Sequence, residues 1–118
     1  MPMLKDCLSK LDEYDLKIES FVVPGAYELP LTAKSLCKNF DAVILLGCII
    51  KGETPHFEII SQSISDNVLK TSLKEETPII FGVLTTNNES EAKNRAASKG
   101  SEFAETALNF LDTLKKIK

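Results

Sequence analysis

Two unbroken apolar runs constrain the fold of this chain more than any other feature. They are "DAVILLGCII" at 41–50 and "PIIFGVL" at 78–84, and in neither do polar and apolar residues alternate. Such runs are typical of strands that are covered on both faces, as in parallel sheets. Between them, apolar residues recur at helical spacing, at Phe57, Ile60, Ile64 and Val68. Two doubly buried strands joined by a helix predict a parallel pair with a right-handed crossover.

The segments before the first run predict two helices and one more strand. "MLKDCLSKLDEY" has apolar residues at positions 4, 7, 8 and 11, the pattern of an amphipathic helix. "LKIESFVV" at 16–23 is rich in β-forming residues and ends at a Pro24–Gly25 turn, so we expect a strand there. "YELPLTAKSLCKNF" predicts a helix with a proline in its first turn, where a missing N–H costs little.

The segment after the second run predicts a turn and two helices. "TTNN" is typical of a turn, and Asn88 is a good N-cap for the helix that follows. About nine helical residues lead to a weak point at Lys99–Gly100, because glycine is a poor helix former. A final helix carries most of the remaining apolar residues.

Helices and strands therefore alternate, which predicts one α/β domain over residues 1–118. The expected architecture is a three-layer α/β/α sandwich with a parallel, doubly wound (flavodoxin-like) sheet. The chain begins on a helix and offers only three strands, few for a free-standing domain. We therefore expect that the usual N-terminal strand is lacking, or that partner subunits compensate for so small a sheet.

Composition argues against several classes of function. The formal charge is -3 and no face gathers basic residues, so we expect no nucleic-acid partner. The longest apolar run is too short to span a bilayer, and the N-terminus has no apolar signal core, so we expect neither a membrane partner nor secretion. The cysteines Cys7, Cys37 and Cys48 are odd in number and widely spaced. They are typical of free thiols in a reducing cytoplasm, without a disulfide framework or a metal site.

Three segments follow the predicted strands: "PGAYE", "KGETPH" and "TTNN". Ligands of parallel sheets bind beyond the carboxyl ends of the strands, so these segments are expected to converge on one site.

"KGETPHF" contains His56, the only histidine in the chain. Gly52 permits unusual backbone angles, Thr54 suits an N-cap, and Pro55 suits the first helical position. His56 would then lie in the first turn, where free backbone N–H groups favour an anion such as phosphate and disfavour an imidazolium. The alternative is a surface histidine on a capped helix.

Arg95 is the only arginine among fourteen basic residues. Any function that needs a planar guanidinium group must therefore use Arg95. The alternative is that Arg95 is simply a solvent-exposed residue of the last helical region.

Together, "VPGAYELP", "GCIIKGETPHFE" and "PIIFGVLTTNNESEAKNRA" resemble the signatures of the lumazine synthase family. The resemblance implies condensation of 5-amino-6-ribitylaminouracil with 3,4-dihydroxy-2-butanone 4-phosphate in riboflavin biosynthesis, a transferase reaction without a cofactor or metal. It also implies a homo-oligomer, either a pentamer or a capsid of sixty subunits.

The resemblance also implies roles for particular residues. His56 matches the proton-transfer residue, while Gly52, Glu53, Thr54 and Arg95 match the phosphate site. The segments that match the pyrimidine and ribityl site are Ala26, Tyr27, Glu28, Cys48, Ile49 and Ile50. Phe81 matches a pocket residue that a neighbouring subunit contributes.

The chain departs from the family at its start. Members normally begin with a strand that ends in an aromatic-asparagine pair, and this chain has no counterpart. A second hypothesis therefore stays open: a non-catalytic homologue that binds a pyrimidine, lumazine or flavin, or serves as an assembly subunit. A phospho-acceptor receiver domain would need clustered acidic residues at the strand ends, and only Glu28 and Glu53 are available there.

Overall fold

The computed structural model describes residues 2–51 and 56–118. Its elements, in chain order, are helix α1 (Pro2–Leu11), a single-turn 3-10 helix (Ala26–Glu28), helix α2 (Leu29–Leu36), strand β1 (Val43–Ile50), helix α3 (Phe57–Glu75), strand β2 (Ile79–Thr86) and helix α4 (Glu89–Ile117). The predicted helices are confirmed for α1, α2 and α3, and both apolar runs are strands as predicted.

The two strands pair in parallel over their full length. The register runs from Val43 opposite Ile79 to Ile50 opposite Thr86. The α3 crossover between them is the connection that parallel pairing requires. Both strands therefore end at the same edge, and that edge faces the segments that follow each strand.

Helices cover the sheet on both faces. On one face, Val43, Leu45 and Ile49 of β1 pack with buried residues of α2 and α3. The alternate residues Ile44 and Leu46 pack with buried residues of α1 and α4 on the other face. Successive side chains of a strand point to opposite faces, so this alternation yields three layers. The predicted α/β/α sandwich with a doubly wound parallel sheet is confirmed.

The third predicted strand, at 16–23, is wrong. Residues 15–23 have no regular secondary structure, and within the described chain no backbone hydrogen bond joins 17–23 to another segment. Phe21 and Val22 are 57% and 95% exposed. β-Forming residues make a strand only where a neighbouring strand accepts their backbone groups. No described strand lies in position to do so.

The predicted break at Lys99–Gly100 is also wrong, because α4 continues through it. A Cβ on Gly100 would overlap the backbone carbonyl oxygen of Met3 and lie 2.8 Å from the backbone nitrogen of Cys7. Asp6 Oδ2 accepts a hydrogen bond of 2.7 Å from the backbone N–H of Ser101. Gly100 therefore lets α1 approach α4 closely, and the same contact supplies a polar partner to the middle of α4.

No helix in the described ranges is both long and apolar enough to cross a bilayer.

Candidate functional site

The carboxyl-end edge of the sheet is where the structure brings candidate residues together. Ile49 lies opposite Thr85, and Ile50 lies opposite Thr86. Neighbouring strands are about 4.8 Å apart, so the last two residues of each strand lie side by side. We call this edge, formed by residues 49–50 and 85–86, the ledge. At this edge β1 ends at Ile50, and β2 ends at Thr86, two residues before the N-cap of α4.

Arg95 reaches the ledge from α4. Its Nη1 donates a hydrogen bond of 3.2 Å to the backbone carbonyl of Thr85, and the side chain is otherwise exposed. A guanidinium has five N–H donors, so this one bond leaves most of them for another acceptor. Since Thr85 pairs with Ile49, the only arginine lies beside the end of both strands.

His56 lies at the start of α3 and is exposed. The helix begins at Phe57, and His56 occupies the N-cap position with φ -118° and ψ 34°. Its carbonyl accepts the first helical hydrogen bond, from the N–H of Ile60 at 2.9 Å. The expectation that His56 lies within the first turn is therefore wrong by one position. The imidazole nevertheless stands at the positive end of a 19-residue helix.

The expected phosphate loop lies outside the described residues. This applies to Gly52, Glu53, Thr54 and Pro55, together with the expected N-cap and first-position roles of the last two. Lys51, the last described residue before them, is exposed. The described residues on either side of this gap are Lys51, which follows the end of β1, and His56, the N-cap of α3.

Ala26, Tyr27 and Glu28 form the single-turn helix that precedes α2. Glu28 and Tyr27 are exposed, and Ala26 is half-buried against the α2/α3 side of the core. Tyr27 lines a shallow groove of about 320 Å³ between α2 and α3, together with Leu31, Lys34 and Asn67. The structure therefore gives Tyr27 a contact with the outer helical layer.

Cys48, Ile49 and Ile50 are the last three residues of β1, as expected for residues that present a strand end. Ile49 is buried in the core, Ile50 is half-buried and Cys48 is exposed. The backbone of this segment is paired with β2 along one side.

Phe81 does not belong to the ledge in this chain. It lies four residues before Thr85 on β2, which corresponds to about 13 Å along a strand, and its side chain packs against the α2/α3 side of the core. A pocket that contains both Phe81 and Arg95 would therefore need a second copy of the chain.

Thr86 belongs to the ledge as the last residue of β2, so the predicted turn at 85–88 is wrong for its first two residues. It is 2% exposed, and its hydroxyl donates to the carbonyl of Asn88 at 3.2 Å. Asn88 is the N-cap of α4, as predicted, and its Oδ1 accepts from the N–H of Glu91 at 2.8 Å. The dipeptide "TT" carries no signal that one hydroxyl is buried and the other is not.

The thiols away from the ledge are held in their neutral form. Burial raises the pKa of Cys7, and the nearby carboxylate of Asp6 raises it further. Burial also raises the pKa of Cys37. Within residues 2–51 and 56–118, no group of three metal-ligating side chains lies close enough together to hold an ion.

A comparison with protein families extends over nearly the whole chain. The family model described as 6,7-dimethyl-8-ribityllumazine synthase matches residues 1–115 of the 118. The match includes both strands, the helices α1 to α3 and all but the last two residues of α4.

Proposed function

Because the chain belongs to the 6,7-dimethyl-8-ribityllumazine synthase family, we propose that it is an active transferase of riboflavin biosynthesis. The proposed reaction condenses 5-amino-6-ribitylaminouracil with 3,4-dihydroxy-2-butanone 4-phosphate, and releases phosphate and water. The observation that carries this proposal is the position of Arg95. The sole guanidinium of the chain is bonded to the end of β2, at the same sheet edge from which His56 and its helix depart.

The proposed phosphate site combines Arg95 with the start of α3. A guanidinium fork can bind two phosphate oxygens at once. The N-terminus of a helix supplies free N–H groups and a positive dipole end, which favour the same anion. In this proposal Gly52, Glu53 and Thr54 complete the site from the loop between β1 and α3.

His56 is the proposed proton-transfer residue. In the reaction an amine attacks a ketone, an imine forms, phosphate leaves and the ring closes. Each of these steps moves a proton, and an imidazole can accept and return protons near neutral pH. The end of β1 (Cys48, Ile49 and Ile50) and the segment Ala26–Glu28 are the proposed binding elements for the pyrimidine and its ribityl chain.

A homo-oligomer forms part of the proposal, as a pentamer or as a capsid of pentamers. Support comes from the outer face of the α2/α3 layer, which exposes several large apolar side chains. Exposed apolar surface of this kind is typical of protein–protein interfaces. These residues are Tyr27, Leu31, Ile59, Leu69 and Leu73, between 61% and 72% exposed. A second copy would also supply the Phe81 that one chain cannot bring to its own ledge. The buried free thiols Cys7 and Cys37 favour a cytoplasmic location.

The alternative is a non-catalytic homologue that binds a pyrimidine, lumazine or flavin, or serves as an assembly subunit. One observation favours it: the segment 16–23, which leads into Ala26–Glu28, pairs with no described strand. A pyrimidine site on that side would lack a rigid support.

One experiment separates the two functions. Purified protein is incubated with both substrates, and lumazine and inorganic phosphate are measured against the spontaneous reaction. The proposed enzyme forms lumazine and releases phosphate in equal amounts, with a rate that saturates in each substrate. A non-catalytic homologue would bind lumazine in an equilibrium titration and leave the spontaneous rate unchanged.

A further inference from the structure

The buried hydroxyl of Thr86 lies at the centre of a short hydrogen-bonded chain. It donates to the carbonyl of Asn88 at 3.2 Å, and its oxygen lies 3.9 Å from the thiol sulfur of Cys48. A hydroxyl has a single proton, and here that proton points to Asn88, so the thiol is the donor of the second contact. Thr86 thereby links the end of β1 to the residue that begins α4.

Asn88 is in turn hydrogen-bonded to the first turn of α4. Its carbonyl also accepts the N–H of Ala92 at 3.1 Å, and its side chain caps the N–H of Glu91. The first turn of α4 is thus held to the sheet through Asn88, and Asn88 is held through Thr86. Among the described residues, Thr86 is the only polar residue that is buried.

Packing of buried side chains contributes little to the position of the first turns of α4. The buried residues of this helix are Gly100, Ala104 and Ala107, all of them beyond Arg95. From Glu89 to Lys99 no side chain is fully buried. The direction of α4 is therefore set by packing beyond Arg95, at Gly100 and Ala104, and by the hydrogen bonds at the strand end before it.

Arg95 lies between these two regions, five residues before Gly100 and about 8 Å from it along the helix axis. If the hydrogen bonds at Asn88 are lost, a tilt of about ten degrees about Gly100 would move the Arg95 backbone by about 1 Å. Displacements of this order are enough to weaken the placement of a bound substrate.

We propose that Thr86 is a positioning residue, whose buried hydroxyl sets the angle at which α4 presents Arg95 at the sheet edge. The inference rests on the proposed function, because it assigns Arg95 to the phosphate of a substrate. Thr86 itself touches no substrate, and it acts through Asn88 and the first two turns of α4.

The test compares Thr86→Val, which keeps the shape and removes the hydroxyl, with Thr86→Ser, which keeps the hydroxyl. Thr106→Val is the matched control, because Thr106 is an exposed residue of the same helix whose hydroxyl bonds to the carbonyl of Glu102 at 2.9 Å. Steady-state kinetics give kcat and KM for the butanone phosphate. Nuclear magnetic resonance of the Arg95 Nε–H reports the mobility of the guanidinium without any turnover.

Thr86→Val is expected to raise the KM for the butanone phosphate about three- to tenfold, the effect of one hydrogen bond, with kcat changed less than about twofold. The Arg95 Nε–H signal should become more mobile in this variant. Thr86→Ser and Thr106→Val should keep wild-type values in both measurements.

An unchanged KM with an unchanged Arg95 signal in Thr86→Val would overturn the positioning role. So would an equal fall in folding stability and activity that Thr86→Ser does not rescue. If the wild-type protein forms no lumazine, the proposed function fails by itself. The Arg95 signal, followed during a titration with inorganic phosphate, then decides the role of Thr86: weaker binding in Thr86→Val supports it, and equal binding overturns it.

Discussion

The guanidinium of Arg95 donates a hydrogen bond of 3.2 Å to the backbone carbonyl of Thr85, ten residues earlier in the chain. Thr85 is the partner of Ile49 in the parallel register. This single bond brings a residue from α4 to the end of both strands, which is the edge where parallel sheets bind their ligands. The proposed phosphate site follows from that placement.

Replacement of Arg95 by lysine should weaken binding of the phosphate. Arg95→Lys keeps the positive charge and loses the bidentate fork, so the KM for the butanone phosphate should rise about tenfold with kcat changed little. Steady-state kinetics at varied butanone phosphate provide the measurement.

Lys93→Gln is the control for Arg95→Lys, since Lys93 is an exposed cation on the same helix with only a surface ion pair to Glu89 at 3.8 Å. It should leave both constants unchanged. A wild-type KM in Arg95→Lys would make Arg95 a surface residue without a role in substrate binding.

His56→Ala should slow the chemistry. Loss of one acid–base group lowers rates about a hundredfold or more, so kcat should fall by about that factor while the KM for the butanone phosphate changes little. Single-turnover rates of lumazine formation measure this directly. Equal rates in wild type and His56→Ala would remove the imidazole from the mechanism.

The sequence predicts the sandwich because the apolar runs and the helical spacings are local patterns. It fails at 16–23 because a strand depends on a partner that local composition does not reveal. It fails at Gly100 because a glycine can either end a helix or allow a second helix to pack closely against it. The sequence does not distinguish these two cases, and only the position of α1 against α4 does. The sequence shows that Arg95 is the only residue that could supply a guanidinium, and its expected phosphate role comes from the family resemblance. The Thr85 carbonyl that holds Arg95 could not be predicted, since a backbone partner has no sequence signal.

Gly100→Ala should destabilise the fold although alanine is the better helix former. The added Cβ would overlap the carbonyl oxygen of Met3 and lie too close to the backbone nitrogen of Cys7. Both are backbone atoms of α1, so a change of side-chain rotamer cannot relieve the overlap. We expect a loss of about 2 kcal/mol in the free energy of unfolding, after the gain of about 1 kcal/mol in helix propensity. Urea denaturation provides the measurement.

Ser98→Ala is the matched substitution for that experiment, because Ser98 is exposed on the same helix two residues away. Its unfolding free energy should stay within about 0.5 kcal/mol of wild type. Equal stability of Gly100→Ala and Ser98→Ala would contradict the close contact between α1 and α4.

The folded protein should lose stability in mild alkali. Burial and Asp6 raise the pKa of Cys7, so above the ordinary thiol pKa of about 8.5 the unfolded chain loses a proton that the folded chain keeps. The unfolded state then binds fewer protons, and the free energy of unfolding falls as pH rises; below about pH 8 this contribution is fully present. Urea denaturation from about pH 8 to 10 measures the slope.

Cys7→Ala should make that slope less steep, with the remainder due in part to Cys37, whose pKa burial also raises. Ser98→Ala serves as the comparison, because Ser98 is exposed and carries no titrating group, so it should leave the slope unchanged. A slope equal in Cys7→Ala and wild type would show that the Cys7 thiol does not set the alkaline limit.

The most direct test of the central claim asks whether His56 and Arg95 face one anion. Isotope-labelled protein is titrated with inorganic phosphate, and the magnetic resonance signals of the His56 ring and the Arg95 Nε–H are followed together. The proposed site predicts that both signals shift along one binding curve with a single dissociation constant, and that Arg95→Lys weakens the curve seen at His56. Two different curves, or a shift at only one of the two residues, would contradict a shared phosphate site.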